Sequence, residues 1–173
     1  MDAAGGKMLT LSQDYAEGTS SWQAPTSTLI KPATSGDQYL NASGSVYMAY
    51  CWAEVDGFFR TGEYVGAGST DGPWHWTGFK PHFLMVKMST GVGNWNIFDT
   101  ERQRYNQQGP YLRANGTWAE GNAQSGTYGI AVDLLSHGWK NRSGSATNDI
   151  NDTGQTFQWC AFAENPFKTA RAM

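Results

Sequence analysis

The chain has 173 residues and a mass of 19.0 kDa, enough for one compact domain with its own core. Charged residues make up only 16%, aromatics reach 14%, and the net charge is −3. This balance excludes coiled coils, long disordered tails and a broad basic footprint for nucleic acid, and no apolar run approaches the roughly 20 residues of a membrane-spanning helix.

Residues 1–42 are the least periodic stretch. A short helix is predicted over Met8–Glu17, after which Gly18, Pro25 and Pro32 interrupt any long element. Met1–Lys7 is neither basic nor apolar enough for a signal peptide. The expected organisation is an extended N-terminal arm with a partial repeat (1–42), a β-sandwich body (43–167) and a short C-terminal tail (168–173). Ordering an arm costs about 1–2 kcal/mol of backbone entropy per residue. Its sizeable anchors are Tyr15, Trp22, Leu29 and Ile30. They are expected to bury against the body or a neighbouring subunit as assembly contacts.

Strand signals are dense from Val46 onward. The continuous apolar run VYMAYCWAEV predicts a strand covered on both faces. GEYVGAG, WHWTGF, HFLMVKM and NWNIFDTER follow, separated by Gly-Pro and Lys-Pro breaks. YGIAVDLL and GWKNRS form a predicted hairpin turned at Ser136–Gly138, and TFQWCAFAE is the last strand. Turn signals recur at close to the 8–12 residue spacing of a sandwich or barrel. The predicted class is an all-β antiparallel sandwich.

One feature rises above composition. NASGSVYMAYCWAE (41–54) aligns without gaps to NDTGQTFQWCAFAE (151–164). Asn41 meets Asn151, Gly44 meets Gly154, Trp52 meets Phe162 and Glu54 meets Glu164. A shared Asn-x-Ser/Thr-Gly turn leading into an aromatic strand reads as an internal duplication.

Catalytic constellations are weak throughout. Glu54 and Glu164 occupy equivalent strand ends and read as structural acceptors of turn N–H groups, so a glycoside hydrolase is only a remote alternative. His75, His82 and His137 lack metal-ligand spacing, and Gly-x-Ser-x-Gly is absent. No catalytic residue, metal or cofactor is therefore expected. Cys51 and Cys160 fall inside apolar runs and are expected to be buried free thiols. Four Asn-x-Ser/Thr triplets, at Asn41, Asn115, Asn141 and Asn151, read as turn residues. Trp74 and Trp76 flank His75, and strand alternation would place both indoles on one face. Exposed, they make a stacking platform for sugars, with His75 in the same loop. Buried, they are core or subunit contact.

Several motifs together carry a resemblance: Gly62–Gly68, Asp71–Pro81, Asn94–Asp99, Asp133–Trp139 and Ala161–Phe167. Over roughly residues 22–167 the chain resembles a domain of unknown function from structural proteins of tailed bacteriophages. In long relatives that domain follows a concanavalin A-like sandwich. The resemblance implies a non-enzymatic virion component assembled in the bacterial cytoplasm, with other virion proteins as partners. A head-decoration, cement or tail-surface protein is the leading expectation, forming a homo-oligomer with three copies preferred. The alternative is a receptor-recognition module that binds a host-surface glycan through Trp74, His75 and Trp76. Neither reading involves nucleic acid or membrane.

Overall fold

The computed structural model describes residues 7–19, 26–31, 41–122, 129–144 and 150–166. It divides into two compact units, Met1–Thr10 with Glu17–Cys51, and Leu11–Ala16 with Trp52–Met173. The chain is all-β: every described element is a strand, and every pairing is antiparallel.

In the smaller unit, β1 (Lys7–Met8) pairs with β2 (Gly18–Thr19), and Lys7 forms an ion pair with Glu17 at 2.8 Å. No helix forms over Met8–Glu17, contrary to the sequence expectation. The ladder that pairs Lys7 with Thr19 holds Met8 extended and overrides the local helical preference. The described arm anchors do not bury within the chain. Tyr15 is 65% exposed, Leu29 60% and Ile30 47%, and Trp22 lies outside the described residues. The predicted tail, 168–173, also lies outside them.

Among the described residues the larger unit holds nine strands in two sheets. These are β3 (Phe59–Val65), β4 (Trp74–Trp76), β5 (Pro81–Met88), β6 (Asn96–Asp99), β7 (Pro110–Arg113), β8 (Gly121–Asn122), β9 (Val132–Leu135), β10 (Gly138–Asn141) and β11 (Thr156–Ala163). One sheet runs β3-β11-β5-β6-β7-β8 and the other β4-β10-β9. β11 alternates strictly, burying Phe157, Trp159, Ala161 and Ala163 while the residues between them stay half-buried. Leu84, Val86, Met88, Phe98, Tyr64 and these β11 residues share one core with Val132, Leu134 and Trp139 of the smaller sheet. The two sheets thus close on each other as the predicted sandwich does. On the opposite face of β11, Phe162 gathers Phe58, Phe59, Phe83 and Trp52 into a second aromatic cluster.

Buried amides tie the loops together. Asn151 is fully buried; its Nδ2 donates to the carbonyls of Ser69 and Ser143 at 2.9 and 2.7 Å, and its Oδ1 accepts from Ala67 N at 2.9 Å. Asn141, also fully buried, donates to the Ile150 carbonyl at 2.6 Å and accepts from Ser143 N at 3.0 Å. Asn115 accepts from Trp95 N at 2.9 Å. Asn115 and Asn151 are thus turn residues, as the sequence reading has them, whereas Asn141 is the last residue of the strand Gly138–Asn141 and fastens a loop from there.

The duplication survives in the turns and fails in the strands. Gly44 and Gly154 both adopt positive φ, 79° and 76°, and equivalent backbone bonds close both turns, Ser45 N to Ala42 O and Gln155 N to Asp152 O. Beyond the turn, Thr156–Ala163 forms β11, whereas Val46–Glu54 forms no strand. The predicted double-faced strand is instead exposed on both faces, with Val46 at 97%, Met48 at 78% and Tyr50 at 73%. The reason is context: β11 has β3 and β5 on its two sides, and among the described residues no strand flanks the first copy in this way. Cys51 is accordingly exposed, not buried, and Cys160 is half-buried on the outer side of β11.

Candidate functional site

The smaller sheet presents its outer face to solvent. β4 is short because Gly72-Pro73 precedes it and Gly78, at φ 82°, follows it. Within it Trp74 and Trp76 are 51% and 50% exposed, while His75 is 8% exposed. Alternation therefore places both indoles outward side by side, as the spacing predicts, and turns the imidazole inward. His75 is not a surface group. It lies between Tyr64 and Trp139, with ring centroids 4.3 and 4.2 Å away. Burial there lowers its pKa to about 4, so the imidazole is neutral near neutrality. Its role is to seat β4 on the core.

The ladder with β10 completes the face. Trp76 stands opposite Gly138 and Trp74 opposite Lys140. Gly138 is required by close approach, since a β-carbon on it would lie 2.1 Å from the His75 carbonyl oxygen. The Trp74 indole also closes on the bare glycine, 3.3 Å from where that β-carbon would stand. On the next strand Asp133 stands opposite Lys140 and Leu135 opposite Gly138.

Charged groups rim the two indoles. Lys140 Nζ donates to Asp71 Oδ1 at 2.5 Å, and the ammonium holds the Asp71 carboxyl below its ordinary range. Arg142 lies 3.6 Å from the same Asp71 oxygen and 3.3 Å from Asp133. The Arg60 guanidinium covers the Trp76 ring at 4.4 Å and reaches Asp56 at 3.8 Å. Trp74 has no ring or cation partner among the described residues. Two half-exposed indoles and a rim of hydrogen-bonding charges can stack on a flat, partly apolar ligand and bond its edge.

Other candidates do not converge. Trp139 is fully buried in the core, and Trp118 is exposed with Arg113 over its ring at 5.2 Å. The Glu54 carboxylate accepts from Thr61 N and Thr61 Oγ1 at 3.0 and 2.9 Å, and these bonds lower its pKa. That is the structural role expected of it. Glu164 instead pairs with Lys80 at 2.9 Å. Among the described residues no three His, Cys, Asp or Glu side chains could hold a metal ion.

Sequence reasoning identified Trp74 and Trp76 but missed Arg60, Asp71, Gly138 and Lys140. Their shared face follows from the β4–β10 register, which the strand patterns alone do not specify. A family model described as a domain of unknown function, DUF7483, matches residues 3–166. No curated protein and no solved structure matches the chain.

Proposed function

The chain belongs to this family of unknown function, and on that premise we propose that it is a non-enzymatic surface module of a tailed-phage virion that binds carbohydrate on its Trp74–Trp76 face. The observation that carries the reading is the pair of half-exposed indoles on one strand, beside the Lys140–Asp71 pair. An exposed aromatic pair of this kind is costly to leave in water without a ligand. Indole faces accept the C–H face of a sugar ring, and the rim groups accept and donate to its hydroxyls. The phage setting rests on the motif resemblance and is proposed with it.

The test is a screen of the intact chain against immobilised bacterial surface polysaccharides. Binding that is lost in Trp74→Ala supports the reading. Absence of any hit, or hits that bind Trp74→Ala and Trp76→Ala equally well, would contradict it.

A second reading has its own observation. Tyr15, Leu29 and Ile30 are exposed in the single chain, as anchors awaiting a neighbouring subunit would be. In that reading the arm grips adjacent capsid or tail subunits, as a decoration or cement protein does. Truncation of residues 1–31 would then abolish incorporation into particles and spare polysaccharide binding.

A further inference from the structure

A loop continues the smaller sheet as a fourth strand would. β9 lies at the end of that sheet, and the loop between β6 and β7 runs antiparallel beside it. Gln108 and Val132 exchange two backbone bonds, of 2.7 and 3.2 Å. Further along, the Asn106 side chain stands in for a backbone. Its Nδ2 donates to the Leu134 carbonyl and its Oδ1 accepts from Leu134 N, both at 2.9 Å. The β9 edge is thereby satisfied at both residues. Continuing the same antiparallel order sets Tyr105 at the level of Leu135.

That level is the apolar row of the Trp74–Trp76 face. Trp76, Gly138 and Leu135 are in register across β4, β10 and β9, and the Trp74 indole closes over Gly138. The neighbouring row carries Lys140 and Asp133, which Asp71 and Arg142 link by ion pairs. Tyr105 is 82% exposed. A single exposed aromatic needs no explanation, but this one is held. Gln103 Nε2 and Gln108 Nε2 both donate to its carbonyl, at 3.1 and 3.2 Å, and Gln108 is itself fully buried. An aromatic ring on a fixed backbone loses little freedom when it binds.

We propose that Tyr105 is a further stacking residue of this face, so that the ligand is an extended stretch of polysaccharide and not a single terminal sugar. The inference rests on the carbohydrate reading given above. From β4 to the loop is three strand spacings, about 14 Å, longer than one sugar ring and suited to a run of roughly three. A chain laid along the row meets the indoles at one end and the phenol at the other, with its hydroxyl edge towards Lys140 and Asp133. Tyr105 then sets the length of chain that the face reads, and Asn106 is the positioning residue that holds the loop to β9.

Isothermal titration calorimetry of the intact chain against oligosaccharides of graded length tests this. The probes are size fractions, from disaccharide to hexasaccharide, of a partial hydrolysate of the polysaccharide that the screen retains. Wild-type affinity is expected to rise with length up to roughly three rings and then to level off. Tyr105→Ala is expected to bind the disaccharide as wild type does and the hexasaccharide about tenfold more weakly. Tyr105→Phe, which keeps the ring, should match wild type at every length, and Asn106→Ala should lose part of the gain with length while binding the disaccharide normally. Affinity that does not grow with length, or a Tyr105→Ala variant that binds the hexasaccharide as wild type does, would overturn the inference. If Trp74→Ala still abolished binding in that case, the carbohydrate face itself would stand. Failure of every fraction to bind the wild type would defeat both.

Discussion

A β-carbon added to Gly138 would stand 2.1 Å from the carbonyl oxygen of His75, with the next contact at 3.1 Å also on that backbone. No rotamer relieves such a clash, because both partners are main chain in adjoining strands. Gly138→Ala is therefore expected to push β4 off β10 and to lower stability by about 2–4 kcal/mol. Urea denaturation followed by tryptophan fluorescence measures it. Near-wild-type stability would mean that the β4–β10 ladder is looser than described.

The duplicated asparagines offer a matched pair. Asn151 is fully buried and satisfies Ala67, Ser69 and Ser143, whereas Asn41 is exposed. Asn151→Ala leaves those backbone groups unpaired in the interior and is expected to cost about 2–4 kcal/mol. Asn41→Ala is expected to stay within about 0.5 kcal/mol, the usual range for surface changes. Thermal or urea unfolding of the two variants side by side checks the contrast.

Stability should fall in acid because of His75. Its folded pKa is lowered to about 4 from the ordinary 6.5. Above the ordinary value both states are neutral and the group contributes no pH dependence. As the pH drops from 6.5 towards 4, only the unfolded chain takes up the proton, and stability is lost progressively by up to about 3 kcal/mol. His75→Phe, which keeps a flat ring between Tyr64 and Trp139, should flatten this part of the profile. An unchanged profile in the variant would assign the acid sensitivity to other groups.

The two thiols should react very differently. Cys51 is exposed, while burial raises the Cys160 thiol to about 11. A maleimide at neutral pH is expected to label Cys51 quickly and Cys160 only after unfolding, as mass spectrometry of the labelled peptides would show. Fast labelling of both would contradict the packing of β11 against β5.

Much of the architecture is legible in the chain. Alternating apolar positions in Thr156–Ala163, and the Ser136–His137 turn between β9 and β10, predict the elements that form. Alternation in Trp74–Trp76 also separates the indoles from the imidazole, although it does not say which side faces water. That choice depends on where Tyr64 and Trp139 stand, which is a matter of tertiary packing. Val46–Glu54 shows the limit most clearly. Its pattern is that of β11, yet a strand needs neighbours, and apolar composition does not report whether they are present. β7 and β8 escape notice for a different reason: four and two residues carry too little periodicity to register. The charged rim around Trp74 was unreadable because Asp71, Lys140 and Arg142 are brought together across loops and ladders distant in sequence.

The most direct test of the proposed binding face is an NMR titration of the intact chain, following the indole N–H signals. The probe is an oligosaccharide prepared from whichever surface polysaccharide the screen retains. The signals of Trp74 and Trp76 are expected to shift with saturation, those of the core residues Trp139 and Trp159 to stay in place, and Trp74→Ala to weaken binding at least tenfold, a loss of about 1.4 kcal/mol. Shifts confined to other tryptophans, or saturation that is unaffected by Trp74→Ala, would contradict a carbohydrate site on this sheet face.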